Sequence, residues 1–102
     1  MAGTAGTIDE LTERALGAYD RRPDSRGVAH LVDDLITAGQ KLHAEVSQIP
    51  DDQRSQRAGA ALIEWTYFVE TGPLRSGDHA NWNYARGLAR IVRTLAAAAG
   101  AR

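Results

Sequence analysis

The chain has 102 residues, 43% of them hydrophobic and 25% charged, and a formal net charge of −1. That composition excludes an intrinsically disordered polymer and a strongly basic nucleic-acid binder. Cysteine is absent, so disulfides, thiolate metal sites and cysteine nucleophiles are excluded as well.

The length predicts one domain, residues 1–102, with 1–6 flexible and a core small enough that association would usefully extend it. Met1 to Thr7 carry no basic region and no apolar run, so no secretory signal is read there. The longest apolar stretch, Leu95 to Ala99, is far short of the ~20 residues that cross a bilayer. No membrane contact is expected, and the cytoplasm is the default compartment. Eleven arginines against one lysine, with eighteen alanines, fit a high-GC bacterial genome.

The first helix is announced by Thr7-Ile8-Asp9-Glu10, a capping box in which hydroxyl and carboxylate each bond the other residue's amide. Ile8, Leu11, Ala15 and Tyr19 follow at helical spacing, and Pro23 ends the helix near Asp20 to Arg22. Asp24 or Ser25 caps the second helix. There Val28, Leu35, Leu42 and Ile49 repeat every seven residues, with Leu31, Val32, Ala38 and Val46 on the same face. Gly39 lies inside this stripe at a cost of about 1 kcal/mol against alanine, which points to a close helix crossing. Pro50 stops the helix.

A third helix is predicted from Asp51 or Asp52 to about residue 70. Ala58, Ala61, Leu62, Trp65, Phe68 and Val69 form one apolar face, and Ala60, Ile63 and Tyr67 form a second. In a four-helix bundle no helix is central, so the second face is assigned to a partner subunit, with cover by the first helix as the alternative. Gly72-Pro73 ends this helix. Ser76 or Asp78 caps the fourth, whose stripe is Ala85, Leu88, Val92, Leu95 and Ala99, closed by Gly100. The expected fold is all-α: a small antiparallel bundle of one short N-terminal helix and three longer ones.

Residues 64–86 hold five of the six aromatics. A helical hairpin would gather Trp65, Tyr67, Arg75, Trp82 and Arg86 into a ligand pocket, with the aromatics excluding water and an arginine pairing an anion. The competing reading is an aromatic plug at the bundle end. Asp78-His79 is the one adjacent carboxylate and general base, useful for catalysis only if Asp78 is not occupied in capping. His30, Asp33 and Asp34 have metal-site spacing, with Glu45 and Glu64 as possible contributors. No paired Glu-x-x-His motif supports them, and neither metal nor cofactor is assigned. His43 reads as a boundary residue bonded to a neighbour.

Charge is segregated. Residues 1–70 have twelve acidic and seven basic side chains; residues 71–102 have one acid and five arginines. The last helix is expected to lie against its acidic neighbours. Its line of Arg86, Arg90 and Arg93 could meet phosphates, although a weakly acidic chain makes nucleic acid the lesser reading. Length and helical content are similar to those of the small secreted helical-hairpin proteins of actinobacteria. Their Trp-x-Gly turn is missing, since Trp65 precedes Thr66-Tyr67 and Trp82 precedes Asn83-Tyr84. No family is assigned. The functional expectation is a non-catalytic accessory or regulatory protein acting through protein contacts as a homodimer, with Ala60, Ile63 and Tyr67 at its interface. The alternative is a small-molecule binder or small enzyme with its pocket in residues 64–86.

Overall fold

The computed structural model describes the backbone of residues 4–100 and the side chains of 8–100. It contains four α-helices: α1 Thr4–Ala15, α2 Ser25–Ser47, α3 Gln56–Thr71 and α4 Asp78–Gly100. Two 3-10 turns, Tyr19–Arg21 and Asp51–Gln53, lie in the connections. No strand occurs among the described residues. The segment expected to be flexible lies outside the described residues in 1–3, and the backbone of 4–6 already belongs to α1. The proposed capping box is therefore not at a helix start, and the Thr7 side chain lies outside the described residues.

Local chemistry accounts for most helix ends. The Asp24 carboxylate accepts from the Gly27 amide at 2.8 Å and caps α2. For α3 the cap is Ser55, whose hydroxyl accepts from the Ala58 amide at 3.0 Å; Asp51 and Asp52 lie in the preceding 3-10 turn instead. Gly72 closes α3 at φ 70°, a left-handed conformation a side chain would resist. α1 stops at Ala15, a turn before the expected end, so Tyr19 stands outside it and is exposed. The carbonyl of Gly77 receives the first α4 bond, from Asn81 at 3.0 Å. Asp78 is thus the first residue inside α4, and no hydrogen bond among the described residues engages its carboxylate as a cap.

The helices alternate in direction along the chain, yet they do not form a square. α2 and α4 share the most extensive contact, α1 and α3 each pack against both, and α1 does not touch α3. The starts of α2 and α4 lie together around Ser25 and Asp78, and their ends around Gln48 and Ala98. They are a parallel central pair, flanked by two antiparallel helices. The overall extents, 41 × 34 × 19 Å, are those of a flattened bundle.

This corrects the expectation that no helix is central. α4 touches all three others and buries a second set of residues, Trp82, Tyr84, Ala89 and Ile91, beside the expected Ala85, Leu88, Val92 and Leu95. Ala99 is only partly buried. The stripe of α2 is buried as expected at Val28, Leu31, Leu35, Leu42 and Val46, whereas Ile49 falls beyond the helix end.

α3 is seated by two aromatic contacts three residues apart. A Cβ at Gly39 of α2 would overlap the Trp65 ring, and one at Gly87 of α4 would overlap the Phe68 ring. Each glycine is the hollow that lets a ring reach the facing backbone. The close crossing read from Gly39 is therefore real, and its occupant is Trp65.

Candidate functional site

The outward side of α3 presents Ala60, Ile63 and Tyr67, all exposed, with Ile63 at 74% and Tyr67 at 66%. They lie three and four residues apart and so line up on one face of the helix. Just past its end Leu74 is 90% exposed. Among the described residues α1 makes no contact with α3, so they do not support the alternative in which the first helix covers this face. Glu64 and Glu70, also exposed, flank the ridge by helical geometry. An apolar centre within a charged border is the usual anatomy of a contact patch.

Beside the ridge a cleft of about 500 Å³ opens between the end of α3, the 72–77 loop and the first turns of α4. Of the expected pocket residues it brings together Tyr67, Arg75 and His79. Trp65 and Trp82 are not there. Trp65 is buried over Gly39, and Trp82 is 1% exposed in the core. Both serve packing.

Arg86 is not at this cleft either; it borders a separate hollow with Leu16, Tyr19 and Trp82. Its guanidinium donates to the carbonyls of Gly17 at 2.8 Å and Ala15 at 3.3 Å, and stands 5.9 Å from the Trp82 ring centre. It thereby satisfies the last carbonyl of α1, which has no intrahelical partner, and one in the turn just beyond it. Arg54 does the same for α2, donating to Ile49 at 2.9 Å and Ser47 at 3.5 Å while pairing with Asp51 at 2.9 Å. That is the one ion pair among the described residues. The last helix is therefore not held to its neighbours by salt bridges, contrary to expectation. Arg90 and Arg93 remain exposed, but without Arg86 the basic line has only two members.

Asp78 and His79 border different hollows, and no hydrogen bond joins them among the described residues. His79 borders the cleft and meets the Tyr19 ring edge-on at 5.7 Å, whereas Asp78 borders a hollow at the start of α2. His30, Asp33 and Asp34 are exposed, and no group of three or more ligating side chains among the described residues could hold a metal. His43 is the boundary residue expected, with Thr66 Oγ1 at 3.4 Å from Nε2 and Ser47 Oγ at 3.5 Å from Nδ1.

Sequence reasoning missed the floor of the cleft. Phe68 and Tyr84 stack with centroids 5.1 Å apart and planes 5° from parallel, and the Tyr84 hydroxyl donates to the Phe68 carbonyl at 2.9 Å. Leu74 was missed too, although an apolar side chain after Gly72-Pro73 in an otherwise polar loop was a usable signal. Burial raises the Tyr84 hydroxyl above the ordinary tyrosine pKa of 10.0. The unfolded chain therefore ionises first as pH rises, and the contribution of this group is complete below pH 10 and lost above it. Stability should fall more steeply with pH above 10 in the native chain than in Tyr84→Phe. Urea midpoints from pH 8 to about 11 check this, and parallel curves would refute it.

No helix among the described residues is long and apolar enough to cross a membrane. No curated protein and no solved structure matches the chain. Residues 6–102 match the group described as a family of unknown function, DUF6415, and on that extent of the sequence the chain belongs to the DUF6415 family.

Proposed function

We propose that this protein is a non-catalytic accessory or regulatory module that acts through protein–protein contacts, and that a second copy covers the outer face of α3. The observation that carries this reading is the exposure of Ile63 and Tyr67 one turn apart on a helix whose opposite side is seated in the bundle. Transferring such side chains from water to an interface is worth about 1.5–3 kcal/mol each, the scale on which a small contact surface is won. A two-fold dimer is the arrangement in which this one ridge serves both protomers. The setting proposed is a bacterium, on residue usage alone.

Light scattering after size exclusion tests the assembly directly. At about 100 µM, well above an ordinary dimer Kd, the expected mass is twice the 11.0 kDa of one chain. Ile63→Glu should return the mass of a single chain with unchanged helicity, because the side chain touches solvent in the protomer. A wild-type protein that stays at 11.0 kDa throughout would remove the second copy from the proposal.

A further inference from the structure

The cleft beside the ridge has a composition that a contact surface does not require. Its floor is the stacked pair of half-buried Phe68 and buried Tyr84. The Tyr84 hydroxyl is already donated to a backbone carbonyl, so the floor offers ring surface rather than a free polar atom. Tyr67 and Leu74 stand as exposed walls. At the mouth are Arg75 and His79, both exposed. No carboxylate is among the lining residues, and Arg75 has no ion-pair partner among the described residues.

These features choose a ligand. The volume, about 500 Å³, lies within the range of small-molecule sites. A stacked aromatic floor favours a flat apolar body. A guanidinium with no carboxylate opposing it across the cleft favours an anion of matching fork geometry, a carboxylate. We propose that the cleft binds a small aromatic carboxylate, its ring packed against the Phe68–Tyr84 pair and its carboxylate facing Arg75, with His79 as a second polar neighbour. This is a binding role separate from the α3 contact, with Tyr67 as the residue common to both surfaces.

The test uses 3-phenylpropionate and its uncharged amide, titrated into the whole chain and followed by amide chemical shifts. Wild type, Ile63→Glu and Arg75→Gln are compared, because Ile63 lies outside the cleft and Arg75 lies on an exposed loop. Saturable binding of the acid in wild type and Ile63→Glu is expected, with shifts at Phe68, Leu74 and Tyr84. The amide should bind about tenfold more weakly, the scale of one charge-assisted bond, and Arg75→Gln should erase that preference. Binding confined to Ile63→Glu also supports the site and means that a second copy closes its mouth. The proposal is overturned by absence of saturable binding in both chains, by equal affinity for acid and amide, by loss of binding in Ile63→Glu, or by a preference for the acid that survives in Arg75→Gln. None of these outcomes decides the mass measurement, so the two proposals fail separately.

Discussion

Trp65→Ala should remove about 3–5 kcal/mol of stability, the usual loss for a large aromatic deleted from a core. The ring is 4% exposed and fills the space above Gly39. A domain of this size is commonly stable by about 5–15 kcal/mol, so the variant should sit near the edge of unfolding. Gly39→Leu should also destabilise, by about 1–3 kcal/mol. Leucine favours a helix over glycine by nearly 1 kcal/mol, but its side chain would have to occupy the volume of a buried ring that cannot turn aside. Combined, the two changes should relieve one another, since leucine then enters the cavity that alanine leaves. Guanidinium unfolding of the four chains gives the interaction energy, expected at about 1 kcal/mol or more in the relieving sense. Strict additivity would show that Gly39 and Trp65 do not share one volume.

Arg86→Met should cost about 2 kcal/mol, because two carbonyls at and just beyond the end of α1 lose a charged donor while the methylene packing is largely retained. The guanidinium bonds Ala15 and Gly17 from about 70 positions further along the chain, so the loss should be local. Amides of α1 are expected to exchange faster, with those of α3 unchanged. Arg86→Lys should recover only part of the loss, since one terminal nitrogen, Nη1, makes both bonds and the shorter, more strongly hydrated lysine does not bring its ammonium to the same point. Equal acceleration of exchange in α1 and α3 would mean that Arg86 supports the whole bundle rather than one helix end.

The helices themselves were legible wherever a feature acts within a few residues. Asp24, Gly72 and the α2 stripe from Val28 to Val46 each work through their own helix turn, and each was readable. Ser55 was missed because Asp51 and Asp52 are equally plausible caps, and only the tertiary path decides which one opens the helix. On α4 the stripe of Ala85, Leu88, Val92 and Leu95 was clear. Tyr84, Ala89 and Ile91 form a second buried set whose small and amphipathic members dilute the periodicity, so the central position of this helix stayed hidden.

The site was less legible for the same reason. Whether an aromatic faces a cleft or the core depends on what stands opposite it. Trp65 is buried because α2 has Gly39 at the crossing, and Arg86 is engaged because α1 ends beside it. Neither fact is local to residues 64–86. By contrast, the exposure of Ile63 and Tyr67 follows from α3 having two apolar sides and only one packed side. The sequence pattern showed both sides, although the reasoning that no helix could be central was mistaken.

The place of α4 at the centre bears on how the molecule is made. Of the four helices it is the last to leave the ribosome, yet it supplies the surface against which each of the others packs. Until it emerges, α1 and α3 have only α2 to lean on, with most of their apolar side chains facing water. The nascent chain is therefore expected to pass through a sticky, half-finished stage, and shelter by a holding chaperone would matter most until residues 78–100 are released.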